Sequence, residues 1–252
     1  MFYEYKHLGT SNYFTKEYGE DFNFPPHMHF CFEFITVLDG EMKITVDEKI
    51  YVLKRGEALL IFPHQMHSLA SEKCKHMLII FSPDIISAYS SKMKSKLPVN
   101  NLFTPECHLI SAVDKIDEST GFLKKKALLY SLCADFDENR TYDFKKAQAH
   151  GPIVKIFTYV DDNYKNDCSL EALSKFLGYD TAYLSRYFKR FTGLTYLEYV
   201  NIYRLTKACY LLDNTDSSIL QCALDCGYVS LRTFNRNFKK QFNITPNEYR
   251  KK

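Results

Sequence analysis

The chain has 252 residues, 46% apolar and 25% charged, with no long polar or single-residue tract, which excludes a disordered protein and leaves room for two ordinary domains with separate cores. Its net charge of +3 is unevenly spread: residues 1–150 carry 18 Lys and Arg against 20 Asp and Glu, while residues 151–252 carry 15 against 10, so the basic excess that suits a polyanion lies in the C-terminal part. The opening MFYEYKHLGTSNYF lacks the apolar run of a signal peptide and nowhere do eighteen apolar residues follow one another, so a soluble, cytoplasmic protein with no membrane partner is expected.

Between His27 and Phe81, the short β-branched and aromatic runs CFEFITVLDG, EMKITVDEKIYVL and GEALLIFP are parted by Gly40, Gly56 and Pro63. That spacing predicts an antiparallel sandwich or barrel. Within it, HMHFCFE sets His27, His29 and Glu33 in an HxHxxxE pattern, and PHQMH adds His67. Strand alternation puts His27 and His29 on one face. Three imidazoles and a carboxylate are ligands suited to iron, manganese or zinc. The same side chains serve equally to hydrogen-bond a small organic effector, or simply to satisfy backbone groups near a barrel mouth. His64 and His76 read as surface residues. No nucleophile with an evident base, no glycine-rich phosphate loop and no paired carboxylates appear. No enzyme is therefore expected, metal chemistry in the barrel being the one route to it.

From about Pro83 the character becomes helical. GFLKKKALLYSLCADFDEN, residues 121–139, gathers Phe122, Leu123, Ala127, Leu128, Tyr130, Leu132 and Cys133, which predicts a helix with one broad apolar face. That face either pairs with its twin in a homodimer or packs on its own barrel. The following NRTYDFKKAQAHG is polar and aperiodic, so a linker is expected over 139–151, between a domain of residues 1–138 and one of residues 152–252. The eight cysteines are dispersed and are expected as free, buried thiols; Cys222 and Cys226, at helical i,i+4 spacing, read as a core stripe.

The C-terminal part repeats itself. At an offset of 50, LSRYFKRFTGLTYLEYV from Leu184 matches FNRNFKKQFNITPNEYR from Phe234, pairing Arg186 with Arg236, Phe188 with Phe238, Lys189 with Lys239, Thr195 with Thr245 and Glu198 with Glu248. Upstream the offset is 49, pairing Ser169 with Ser218 and Gly178 with Gly227. Each copy reads as a capped helix from Ser169 or Ser218, a glycine stop, and a second helix capped by Asp180 or Ser230. This is the helix-turn-helix order, whose second helix enters the DNA major groove. In the first copy Leu184, Phe188 and Phe191 should pack inward, leaving Ala182, Ser185, Arg186 and Lys189 outward. The second should bury Phe234 and Phe238 and turn out Leu231, Arg232, Asn235, Arg236 and Lys239. Arginine pairs with guanine and asparagine with adenine, while Ser185 and Leu231 suit a base edge or a thymine methyl. Lys189, Arg190, Lys239 and Lys240 fall to the phosphates.

SLEALSKFLGYDTAYLSRYFKRFTG followed by SILQCALDCGYVSLRTFNRNFKKQFNITPNEYR resembles the tandem helix-turn-helix DNA-binding domain of the AraC/XylS family of bacterial transcription regulators. The resemblance covers about the last 95 to 100 residues, and it implies base-facing roles for Ala182, Ser185, Arg186, Leu231, Arg232 and Arg236. YLEYVNIYRLTKACYLL, residues 196–212, fits the long helix joining the two units in that family. Such a helix would hold the two reading helices about one DNA turn, roughly 34 Å, apart. The histidine motifs, over roughly residues 20–82, resemble those of the cupin barrel, with Gln65 where a glycine is usual. Together the resemblances imply an all-β cupin-like sensor domain with following helices and an all-α DNA-binding domain. They further imply double-stranded DNA, a small effector such as a sugar, a second copy of the chain and RNA polymerase as partners of an activator. No cofactor is expected, apart from the divalent metal that the barrel histidines suit. The rival readings are a metal-dependent cupin enzyme with a helical appendage and a ligand-independent DNA-binding regulator.

Overall fold

The computed structural model of the chain describes residues 2–4, 12–94, 96–117, 119–138, 140–143 and 151–251. These fall into two compact units, residues 2–4 with 12–143 and residues 151–251.

The first unit begins with nine strands, β1 (Phe2–Tyr3), β2 (Phe14–Glu20), β3 (Asn23–Met28), β4 (Phe32–Asp39), β5 (Glu41–Val46), β6 (Lys49–Lys54), β7 (Ala58–Ile61), β8 (His67–Ala70) and β9 (Lys75–Phe81). Helix α1 (Ser87–Met93), strands β10 (Leu97–Pro98) and β11 (Leu102–Phe103), and helices α2 (Cys107–Asp114) and α3 (Phe122–Asp137) follow. Two five-stranded sheets result, ordered β1-β3-β8-β5-β6 and β11-β7-β4-β9-β2. Every neighbouring pair is antiparallel except β1 with β3.

Strand alternation assigns each side chain to one of two cores. In β4, Ile35 and Val37 join Met42, Ile44, Leu53, Leu69 and Leu78 between the two sheets. Phe32 and Phe34, on the opposite face of the strand, join Tyr89, Val113, Leu129 and Phe136, where the three helices cover the sheet. A strand buried on both faces needs the near-continuous apolar run FEFITV that the sequence supplies. Helix α3 points Leu129, Leu132, Cys133 and Phe136 into this core. Its apolar face therefore packs on its own barrel, and Leu123, 80% exposed, is the main apolar side chain left outside. Beyond α3, β12 (Tyr142–Asp143) pairs with β10, and Tyr142 lies against the same core. Both residues belong to the stretch 139–151 expected as a linker, of which residues 139 and 144–150 lie outside the described residues.

The second unit is entirely helical: α4 (Gly151–Asn163), α5 (Leu170–Leu177), α6 (Thr181–Thr192), α7 (Tyr196–Asn214), α8 (Ile219–Asp225), α9 (Leu231–Phe242) and α10 (Pro246–Arg250). The four expected caps are present. Ser169, Asp180, Ser218 and Ser230 each accept a hydrogen bond from the backbone N–H three residues on. The repeat preserves two more: Thr195 with Glu198 and Thr245 with Glu248 form matching capping boxes that open α7 and α10. Gly178 and Gly227 stand in equivalent left-handed conformations, φ +73 and +82. They differ in surroundings. A Cβ at Gly178 would meet nothing within 4 Å, whereas one at Gly227 would sit 2.4 Å from the carbonyl oxygen of Tyr164.

Each helix-turn-helix has its own core. Phe157 of α4 meets Phe188 at 5.9 Å and Tyr199 at 5.2 Å in the first; Cys222, Ala223, Cys226, Phe234 and Phe238 close on α7 in the second. The cysteine stripe is thus core, and seven of the eight unpaired cysteines are buried, Cys107 being exposed. Phe191, expected inside with Leu184 and Phe188, is only half-buried and stacks on Tyr187 at 6.3 Å. Among the described residues, no helix is long and apolar enough to cross a membrane.

Candidate nucleic-acid interface and buried histidine cluster

Helices α6 and α9 are amphipathic in the same way. In α6, Leu184 and Phe188 are fully buried, while Ala182, Ser185, Arg186, Lys189 and Arg190 are exposed. In α9, Phe234 and Phe238 are fully buried, while Arg232, Asn235, Arg236, Lys239 and Lys240 are exposed. Leu231 departs from its expected outward position: it is half-buried and packs against the core cluster of α8 and α9. The reason is its spacing. Residues 231, 234 and 238 fall at i, i+3 and i+7, the core stripe of the helix. Leu231 also corresponds to Thr181 in the first copy, one position before the matched pair Ala182 and Arg232.

Asn235, Arg236, Lys239 and Lys240 line one open groove together with Thr245, Pro246 and Asn247 at the start of α10. Those last three were not singled out in the sequence, although the TPNE capping signal marks their turn. The capping-box carboxyls are held below the usual carboxylate range. Glu198 owes this first to the Thr195 hydroxyl and then to Lys240 and Lys189; Glu248 owes it first to the bonds at Thr245 and then to Lys239. On the flank of α6, Tyr179, Tyr183, Tyr187 and Phe191 form an aromatic ladder with ring centroids 5.5, 5.8 and 6.3 Å apart. Their i,i+4 spacing is the sequence signal for it. The Arg190 guanidinium lies 6.0 Å from the Tyr187 ring centre.

In the first unit His27, His29, Glu33 and His67 converge. All four are buried, and one potential ligand atom from each lies within 4.8 Å of all the others. Three strands and a turn bring them together. His27 at the end of β3 is the cross-strand partner of His67 at the start of β8. His29 lies in the bend leading to β4, and Glu33 alternates with Phe32 and Phe34, so it faces between the sheets. Glu33 Oε2 is 2.9 Å from His29 Nε2 and 3.3 Å from His67 Nε2. The other ring nitrogen of each histidine meets a backbone carbonyl: His27 Nδ1 with Pro25 at 3.0 Å, His29 Nδ1 with Cys31 at 3.1 Å, and His67 Nδ1 with Gln65 at 2.9 Å. Burial opposes ionisation of Glu33, yet His67 and His29 outweigh it and hold the carboxyl far below its usual range. Burial and then His67 push His27 down to about 4.

Two further histidines depart from the surface positions expected of them. His76, expected at the surface, is buried because it alternates in step with Leu78 and Ile80 on β9 and so faces between the sheets, its ring 5.6 Å from that of Phe22. His64 is half-buried with φ +65. Gln65, at the point where the second motif departs from the cupin pattern, is a structural clamp. Its Oε1 accepts from Phe62 N at 3.0 Å and Asn101 Nδ2 at 2.7 Å, and its Nε2 donates to Asp47 Oδ2 at 3.0 Å.

Comparison with known proteins matches both units. Residues 13–132 match the family model of the AraC-like ligand binding domain, and residues 173–252 match that of a helix-turn-helix domain. Regulatory protein SoxS of Escherichia coli is 34% identical over 103 residues, 40% of this chain and 96% of SoxS. The HTH-type transcriptional activator RhaS of Mannheimia succiniciproducens is 25% identical over 240 residues, 90% of this chain and 89% of RhaS. Among solved structures, ToxT of Vibrio cholerae is 17% identical, with 95% of this chain and 97% of that chain covered at a TM-score of 0.44. With a ligand-binding unit first and a duplicated, capped helix-turn-helix after it, this chain belongs to the AraC/XylS family of DNA-binding transcription regulators.

Proposed function

We propose that residues 151–251 read a specific operator through α6 and α9, and that a small molecule taken up by the first unit controls that reading. The observation that carries this is the duplication itself. Two helices bury the same aromatic face and expose Ser185, Arg186 and Lys189 in one copy and Arg232, Asn235, Arg236 and Lys239 in the other. Ala182, Ser185, Arg186, Arg232, Asn235 and Arg236 are assigned to base edges, and Lys189, Arg190, Lys239 and Lys240 to phosphates. Leu231 is assigned to the core, with at most its exposed edge left for a thymine methyl. Helix α7, 19 residues long, spans about 28 Å at 1.5 Å per residue, which suits two reading helices in successive major grooves.

The effector is assigned to the neighbourhood of His27, His29, Glu33 and His67, where the partly buried rings of Tyr13, Phe22 and Phe24 border the same inter-sheet core. Polar groups beside aromatic faces suit a sugar. The chain acts in the cytoplasm as a homodimer, using the outer side of α3 around Leu123, and as an activator that contacts RNA polymerase; it is not an enzyme. Effector binding changes how the two DNA-reading units of the dimer are held and so which half-sites they span.

Selection of bound sequences from a random duplex pool at about 150 mM salt, which weakens nonspecific phosphate binding, tests this. A motif of two blocks about ten base pairs apart is the expected result. Failure to enrich any motif, with and without a panel of sugars, overturns the assignment.

A further inference from the structure

We infer that the segment after α4, residues 164–166, is a strut that joins the two helix-turn-helix halves alongside α7, and that Arg204 is the positioning residue that fastens it and so fixes the spacing of DNA blocks the chain accepts. The inference rests on reading by both α6 and α9, and adds to it what sets the distance between them. The internal repeat supplies the comparison. Both turns carry a Gly-Tyr pair, at 178–179 and 227–228, with the glycine left-handed in each. The first turn is open: a Cβ on Gly178 would meet nothing within 4 Å, and Tyr179 is 41% exposed. The second is closed: a Cβ on Gly227 would lie 2.4 Å from the Tyr164 carbonyl oxygen, and Tyr228 is 4% exposed. A turn of this kind therefore forms without cover, and the cover on the second one is a tertiary feature.

Arg204, near the middle of α7, makes the fastening. It donates from Nε to the Tyr164 carbonyl at 2.7 Å and from Nη2 to the Asn166 carbonyl at 3.0 Å. Its guanidinium carbon also lies 5.9 Å from the centre of the Tyr228 ring, so one planar cation holds both the strut and the second turn. Beside it the Tyr228 hydroxyl reaches the Asn201 carbonyl at 3.5 Å, and Asn237 of reading helix α9 donates from Nδ2 to Asn201 Oδ1 at 3.2 Å. The other end of the strut belongs to the first half. Phe157 of α4 packs on Phe188 of α6, and the Tyr203 hydroxyl of α7 donates to the Asp161 carboxylate of α4. Two bodies joined by one helix can swing as that helix bends; a second connection, fastened at mid-helix, removes that freedom. A shift of one base pair moves a DNA block by about 3.4 Å and turns it by about 35°, which a fixed pair of reading helices follows only by giving up base contacts.

The test uses the full-length protein and duplexes built from the motif it selects, with the two blocks at the selected spacing and with one base pair inserted or removed between them, titrated at about 150 mM salt. The parent should lose at least about tenfold in affinity at either altered spacing, as for the loss of one good base contact. Arg204→Ala should keep the base preferences within each block while its spacing penalty falls below about threefold, and Arg204→Lys, which keeps the charge but not the paired bonds, should fall between. Asn201→Ala removes the bond to Asn237 at a half-buried position where alanine suits a helix, and should lower the penalty to a smaller extent. Cys209→Ala trims a fully buried side chain further along α7, and should lower the melting temperature with the penalty unchanged. A penalty as large in Arg204→Ala and Asn201→Ala as in the parent overturns the strut. So does an equal fall in Cys209→Ala, or a parent that selects two blocks yet is indifferent to their spacing. A parent that selects no two-block motif fails earlier, at the reading itself, and removes the strut's role with it.

Discussion

Arg236 and Lys239 lie almost one helical turn apart, both exposed, in the same groove, yet their chemistry gives them different work. A guanidinium forms two directed bonds to a guanine edge, while an ammonium is a compact charge suited to phosphate. Arg236→Ala should therefore cost about 1–3 kcal/mol at the preferred sequence and relax base preference at one position. Lys239→Ala should weaken all duplexes alike and lower the slope of affinity against salt by about one. Binding titrations of preferred and scrambled duplexes at several salt concentrations separate the two. Equal losses on every duplex would remove Arg236 from base reading. Leu231 shows where residue-level reading of the sequence fell short. It stands beside the outward Arg232, but its spacing of three and seven residues from Phe234 and Phe238 is the better guide and puts it against the core. His76 failed for the same reason, its alternation with Leu78 and Ile80 being plain in KHMLIIF.

At the scale of elements the most legible signals were those that act locally. Ser169, Asp180, Ser218 and Ser230 cap where their side-chain chemistry said they would. Whether the apolar face of α3 met its own barrel or a twin depended on tertiary packing that no local pattern encodes, and the barrel core takes it. The convergence of His27, His29, Glu33 and His67 was legible as a motif, but Asp47, Gln65 and Asn101, which brace the loop before His67, are far apart in sequence and show only in the fold. The glycine pair separates local from tertiary demands. Both need a left-handed backbone, which costs a residue with a Cβ about 1–2 kcal/mol, so Gly178→Ala, with open space around it, should lose about that much. Gly227→Ala adds a collision with the Tyr164 carbonyl at 2.4 Å, backbone that cannot swing aside, and should lose clearly more. Calorimetric melting of the two variants checks the ranking. Equal losses would mean that the end of α4 yields freely around residue 227.

At the scale of the whole molecule, each unit closes its own core. Among the described residues, the inter-sheet and helix-covered cores draw on residues before 143, and the two helix-turn-helix cores on residues after 151. A chain with such a division should be separable, and the match to SoxS points the same way, since 103 aligned residues, about the length of the second unit, make up 96% of that protein. The fragment 151–252 should therefore fold and select the same DNA motif as the full chain. Its salt slope should be nearly the same, because Lys189, Arg190, Lys239 and Lys240 all lie within it. What it should lose is response. If the first unit controls the reading, adding its effector should change DNA affinity in the full chain and leave the fragment unmoved, as two sites are coupled only when each biases a state the other also senses. Parallel binding titrations of both proteins, with and without a panel of sugars, measure the difference. A fragment that responds as the full chain does would place the sensor among residues 151–252 and end the assignment of control to the barrel.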